Sequence, residues 1–228
     1  MGDPDLVGDV HRLIAFDLDG TLIDSRRDLA DSANQLLAEL GAAPLAEEAI
    51  GRMVGEGARV LVQRALSAAG LQDTPGALPR FLEIYDTRLL NHTQMYEGVA
   101  DAVRVARRHA RVAVLTNKPA GPSERILQAL GVRDLFDDVI GGDSPLGRKP
   151  DPGGLFALME RAHATVDRTL MIGDSAIDHE TARRASVRCC LTAYGYGYLT
   201  FPSERLTGTE WIVEDASQLA GAIERFSV

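Results

Sequence analysis

Leu13-Ile14-Ala15-Phe16-Asp17-Leu18-Asp19-Gly20-Thr21 decides how this 228-residue chain is read. Four apolar residues stopped by acids and a glycine predict a short buried strand running into a tight turn. Side chains two residues apart on an extended backbone point the same way, so Asp17 and Asp19 face one pocket. Two carboxylates in one pocket repel unless a cation or a shared proton relieves them. Such a pair costs stability and asks for a function.

Outward from this strand, residues 28–40 place Leu29, Ala33, Leu36, Leu37 and Leu40 on one helical face ahead of Gly41. Pro44, Glu47 and Glu48 suit the first turn of a second helix. Residues 58–69 and 79–90 repeat the helical spacing, separated by Gly70 and Pro75-Gly76. No strand pattern occurs from Asp24 to Gln94. From Gly98 onward the pattern alternates. Strands are predicted at Val112–Leu115, Val139-Ile140, Leu170–Ile172, Val187–Ala193 and Trp211–Val213. Helices are predicted at 121–130, 153–163, near 178–185 and at 217–225. Alternation of this sort gives a parallel sheet with helices on both faces. The expected fold is therefore α/β, a doubly wound, Rossmann-like core of residues 1–23 and 95–228 interrupted by an all-helical insertion at 24–94.

Composition narrows the function. The chain is 45% hydrophobic and 25% charged, ordinary for a soluble domain. A formal charge of −9 argues against nucleic acid as a partner, because phosphate backbones are held by Lys and Arg. A small anion bound at a local cationic site remains compatible. Cys189 and Cys190 are sequence neighbours, which on a strand point to opposite faces. They read as two small core residues in a reducing compartment rather than a disulfide. The first ten residues carry Asp3, Asp5 and Asp9 with no basic start, so no signal peptide is read there. No stretch approaches a membrane span, and a cytoplasmic location is the expectation. The five histidines are scattered without zinc-ligand spacing. His179 reads as a surface helix position and Trp211 as core; Tyr194, Tyr196 and Tyr198 alternate like strand or edge residues. Among 24 Lys and Arg residues only two are Lys, Lys118 and Lys149.

Ligands of open parallel sheets bind outside the carboxyl ends of the strands. Following the first strand come Asp17, Asp19 and Thr21; after the second, Thr116, Asn117 and Lys118. Past the third lies Arg148-Lys149-Pro150-Asp151-Pro152, and after the fourth Gly173-Asp174 with Asp178 four residues on. Each piece alone fits a helix cap or a turn. All four in order fit one job. Asp17, Asp19, Asp174 and Asp178 form a cluster of hard oxygen donors with no nearby His or Cys, which suits Mg²⁺. A metal so held offsets the repulsion between an aspartate nucleophile and a phosphoryl group. Lys149 supplies fixed positive charge, Thr116 and Asn117 supply donors to phosphoryl oxygens, and Asp19 is the natural acid and base.

These four motifs, Asp17-Leu-Asp-Gly-Thr, Thr116-Asn117, Lys149-Pro-Asp-Pro and Gly173-Asp174-x-x-x-Asp178, resemble those of the haloacid dehalogenase-like hydrolases. The resemblance covers nearly the whole chain. It implies an aspartyl-phosphate intermediate on Asp17, acid/base action by Asp19, and Mg²⁺ held by Asp17, the Asp19 carbonyl and Asp174. It also implies that Lys149 steadies nucleophile and phosphate, that Asp178 acts behind them, and that residues 24–94 are the mobile cap. Within the family the detail is most similar to bacterial phosphoglycolate phosphatases. Phe16–Ser25, Val54-Gly-Glu-Gly57, Thr116-Asn-Lys-Pro119, Gly141-Gly-Asp-Ser144 and Tyr194-Gly-Tyr-Gly197 carry that likeness. Ser186 stands where the resemblance leads one to expect Gly, a matter of turn geometry.

The resulting expectation is a Mg²⁺-dependent phosphomonoesterase acting on a small phosphorylated metabolite, best matched by 2-phosphoglycolate, in a monomer or homodimer. A dehalogenase has no need of Asp19. A phosphonate hydrolase of this family uses a cap lysine, and 24–94 contains no Lys. The usual cap signature of a sugar phosphomutase is not apparent. A pyrophosphatase or a nucleotide or sugar-phosphate phosphatase is the nearest rival, and an idle binding module on the same fold is the rival from another class. Gly55 and Gly57 suit a tight loop over a small ligand. Arg59 or Arg64, near that loop, is expected to pair with a substrate carboxylate.

Overall fold

The computed structural model describes residues 11–227, so the reading of the first ten lies outside the described residues. The chain begins with β1 (His11–Phe16), β2 (Ile23–Asp24), α1 (Arg26–Glu39), α2 (Glu47–Gly51), α3 (Ala58–Ala68) and α4 (Ala77–Asp86). It continues through β3 (Gln94–Met95), α5 (Val99–Arg107), β4 (Arg111–Leu115), α6 (Ala120–Ala129), β5 (Asp138–Ile140) and α7 (Gly153–Ala162). The last elements are β6 (Ala164–Gly173), α8 (Ala176–Ala185), β7 (Arg188–Thr192), β8 (Trp211–Val213) and α9 (Leu219–Ser227).

Six strands form one parallel sheet in the order β5-β4-β1-β6-β7-β8. Its central strands are apolar on both faces because both faces are covered. Ile14 and Phe16 of β1 join Val114, Ile172 and Cys190 in one core with α5, α6 and α9. Leu13 and Ala15 point the other way, into a core with α7, α8 and Cys189. The adjacent cysteines thus serve opposite faces of β7, and both are free. Register decides the rest. Phe16 pairs with Val114 and with Ile172, and Val114 with Val139, so four strands end level. Whatever follows each of them emerges at the same edge.

The helices α1–α4 lie between β2 and β3, which pair antiparallel as a two-residue ribbon, Ile23 with Met95 and Asp24 with Gln94. That ribbon corrects the expectation of no strand from Asp24 to Gln94; two residues are too few to show a periodicity. Leu29, Ala33, Leu36 and Leu37 are buried as the helical spacing predicts, whereas Leu40 caps α1 at 42% exposure. Pro44 precedes α2 by three residues, and α4 stops at Asp86 rather than 90. Buried Asp28 accepts from the His92 and Thr93 N–H groups and the Thr93 hydroxyl, tying the start of α1 to the chain entering β3.

Three sequence readings are corrected elsewhere. His179 is buried and its Nε2 lies 2.8 Å from Glu210 Oε1. Trp211 is only half-buried, with the Arg188 and Arg225 guanidinium groups over its ring at 4.8 and 5.2 Å. Strand β7 ends at Thr192, so Tyr194, Tyr196 and Tyr198 stand in the following loop. Ser186 holds the left-handed conformation (φ 58°) that ends α8, where Gly is favoured. No helix among the described residues is long and apolar enough to cross a membrane.

Candidate active site

Asp17 is the first residue past β1, fixed by its N–H donating to Ile172 O at 2.8 Å. Its carboxylate is buried, with Oδ1 2.7 Å from Lys149 Nζ. Lys149 Nζ also donates to Asp178 Oδ1 at 2.5 Å. The other oxygen of Asp178 accepts from the N–H and hydroxyl of Ser175, which caps α8. Asp178 therefore holds Lys149 in place and is itself held by the helix start. Asp174 follows β6, and its Oδ2 accepts the Gly197 N–H at 2.7 Å. Oxygens of Asp17, Asp174 and Asp178 lie within 4.8 Å of one another.

Close backbone approach makes this cluster possible. Gly20 turns at φ 88°, and a Cβ there would sit 1.9 Å from Asp174 Oδ2. On the other side, a Cβ at Gly195 would lie 2.3 Å from both the Asp174 Cβ and Gly20 O. Only glycine fits at either place.

Four carboxylates gather here against two ammonium groups. Asp19 takes one of these for itself: Lys118 Nζ donates to its Oδ1 and Oδ2 at 2.8 and 2.9 Å. Ser25 Oγ adds a bond to Asp19 Oδ1 at 2.6 Å and lies 3.1 Å from Tyr196 Oη. Asp17 and Asp178 share Lys149, and Asp174 has only the backbone donor. Burial, with Asp178 beside it and Lys149 opposing, pushes the Asp17 carboxyl up to about 7. Burial and then the charges of Asp178 and Asp17 raise Asp174 well above the usual carboxylate range. Both lysines stay charged despite burial, Lys149 through Asp17 and Asp178, Lys118 through Asp19. Fully ionised, the four carboxylates would exceed the two ammonium groups by two charges, and the raised Asp17 and Asp174 carboxyls are the response to that crowding on hard oxygens. A divalent, oxygen-preferring cation such as Mg²⁺ fits that donor set.

Thr116 and Asn117 follow β4 at the same edge and are buried beside the cluster. Thr116 Oγ1 accepts the Lys118 N–H at 3.2 Å. Asn117 lies in the cleft as expected, but its side-chain amide is engaged by the protein itself. Its amide donates to Gly55 O and to Lys149 O, each at 2.9 Å, so both side-chain donors are committed to backbone carbonyls. Rather than facing a phosphoryl oxygen, this amide ties the Gly55–Gly57 loop to the turn that carries Lys149. Arg59 and Arg64 depart from expectation. Both are exposed and outside the cleft lining, and Arg64 pairs with Glu56. Lys118, marked in the sequence by its rarity and its place after the second strand but given no role there, stands in the site as the partner of Asp19. Ser25 and Tyr196 stood only inside the stretches Phe16–Ser25 and Tyr194–Gly197 that carry the family likeness, with no pattern of their own to assign a role.

Residues 14–192 match the family model described as haloacid dehalogenase-like hydrolase. The chain is 43% identical over 194 residues to a phosphoglycolate phosphatase of Rhodospirillum rubrum, covering 81% of this chain and 80% of the relative. It is 34% identical over 221 residues to that of Colwellia psychrerythraea, covering 93% and 97%. A crystal structure described as a predicted phosphoglycolate phosphatase from Haemophilus somnus superposes with a TM-score of 0.84 at 29% identity, covering 93% and 97% of the two chains.

Proposed function

Because the chain belongs to the haloacid dehalogenase-like hydrolase family and is a phosphatase, we propose that it is a Mg²⁺-dependent phosphomonoesterase acting on 2-phosphoglycolate. The observation that carries this reading is the cluster of Asp17, Asp174 and Asp178 around Lys149, short of positive charge, beside a paired Asp19. In this reading Asp17, the Asp19 carbonyl and Asp174 hold the metal. Bound Mg²⁺ supplies charge neutralisation for the phosphoryl oxygens and the anionic nucleophile.

Asp17 attacks phosphorus, forming a new P–O bond as the ester P–O bond breaks. Asp19 passes to the departing glycolate oxygen a proton taken from the phosphate monoanion of the substrate. Water then attacks the phosphorus of the aspartyl phosphate, returns a proton to Asp19 and frees Asp17 as phosphate leaves. Lys149 holds Asp17 in line and offsets charge on the transferring group, with Thr116 beside it. The helices at 24–94 act as a cap that excludes water from this centre, working about the ribbon of β2 and β3. A 2-phosphoglycolate assay with Mg²⁺ tests the proposal. Phosphate release is expected to vanish with excess EDTA and to return on adding Mg²⁺. Undiminished release in EDTA, or none with any phosphate ester, contradicts it.

A further inference from the structure

The geometry points to Lys118 as the residue that selects a carboxylate-bearing leaving group, an inference that rests on the phosphatase reading of this site. The cleft above Asp17 and Asp19 is closed on the insertion side by apolar groups, among them Val54, Leu61, Phe81 and Leu82. Among the described residues Lys118 is the one cationic side chain lining it. Beyond apolar contact this wall offers the Tyr85 hydroxyl, and Lys118 adds one positive charge suited to a small acid. Arg59 and Arg64, expected to fill that role, lie elsewhere.

Lys118 is also placed to change partners. Its side chain is 4% exposed, its Nζ bonds both Asp19 oxygens, and it lies 4.8 Å from the centroid of the Tyr85 ring. Tyr85 belongs to α4 and Lys118 to the loop after β4, so this cation sits where the insertion meets the core. Asp19 must present an oxygen to the departing ester oxygen, yet here both its oxygens are occupied by Lys118, with Ser25 on one. A substrate carboxylate that takes over Lys118 Nζ leaves Asp19 held by Ser25 and turns its other oxygen toward the ester. A phosphate ester whose leaving group is uncharged offers Lys118 no carboxylate in replacement. Recognition of the acid and release of Asp19 are then one event, and the preference appears in kcat as well as KM.

The experiment compares 2-phosphoglycolate with ethyl phosphate and 2-hydroxyethyl phosphate, matched in size and lacking the carboxylate, on wild type, Lys118→Met and Lys118→Arg. A bond to a buried charge is worth on the order of 10- to 100-fold, so wild type is expected to favour phosphoglycolate in kcat/KM by at least that factor. Lys118→Met is expected to bring the ratio close to one, and Lys118→Arg to retain part of it. On wild type alone, glycolate is expected to inhibit competitively and ethylene glycol to have little effect, a readout that does not depend on any variant folding. Equal turnover by wild type of esters with and without the carboxylate overturns the inference and leaves the phosphatase reading intact. So does a Lys118→Met that loses both activities in proportion, the signature of a purely structural role. Preference for a different carboxylated ester supports Lys118 while removing 2-phosphoglycolate; no turnover of any ester overturns both.

Discussion

Asp17→Asn is expected to lower turnover on the order of 10⁴-fold or more, the scale of losing a covalent nucleophile, while leaving the protein folded. The amide keeps the shape of the carboxyl group and, like its protonated form, adds no charge to a crowded acidic pocket. Lys149 retains Asp178 as its partner. Stability therefore separates this effect from misfolding. Folded Asp17 keeps its proton up to about 7, against 3.8 for the ordinary side chain. Between those pH values the folded state binds a proton that the unfolded chain has released, so unfolding free energy falls as pH rises through the window. Metal-free wild type is expected to lose melting temperature from about pH 4 to about pH 7, and Asp17→Asn to lose less. Added Mg²⁺ is expected to flatten the wild-type slope. Thermal melts with and without Mg²⁺ read all three, and a variant that melts far below wild type at pH 7 contradicts the account.

Lys149→Met is expected to damage both activity and stability. Its ammonium is the shared counter-charge of Asp17 and Asp178, with the side chain only 2% exposed. Taking one partner from a buried ionic group costs about 3–5 kcal/mol, because the charges left behind have no compensation. For a chain of this size that corresponds to a fall of roughly 6–20 °C in melting temperature. Activity is expected to drop on the order of 10²- to 10³-fold, as when a donor to a developing negative charge is removed. Mg²⁺ is expected to restore part of the stability, since it occupies the same excess of negative charge. A metal-free variant melting like wild type would mean that Lys149 does not neutralise the cluster.

Much of this was legible because it is periodic or punctuated. The run Leu13–Phe16 alternates between two cores, which is what a strand buried on both faces must do, and Asp17 necessarily stands at its end. Asp174 was legible the same way, behind the run Leu170–Gly173, whereas Lys149 stood out as one of two lysines, in the Arg148–Pro152 turn past the third strand. The ribbon of β2 and β3 escaped notice because it is two residues long and made by chain segments some seventy residues apart. Contacts of that kind leave no local pattern. The side-chain bonds of Asn117 were hidden for a related reason: its position at a strand end was readable, but Gly55 O and Lys149 O claim its side-chain amide through tertiary structure. His179 looked like a surface residue beside Asp178, but Glu210 and Phe201, distant in sequence, pack against its ring. Sequence periodicity placed the carboxylates; which cation serves which of them is a property of the assembled edge.

The most direct test is to find where the phosphoryl group goes. Wild-type protein mixed with ³²P-labelled 2-phosphoglycolate and Mg²⁺, quenched in acid within one turnover and digested, is expected to yield one labelled peptide, sensitive to hydroxylamine, containing Asp17. A label on a different residue, or turnover with no protein-bound phosphate at any time, contradicts the role given to Asp17.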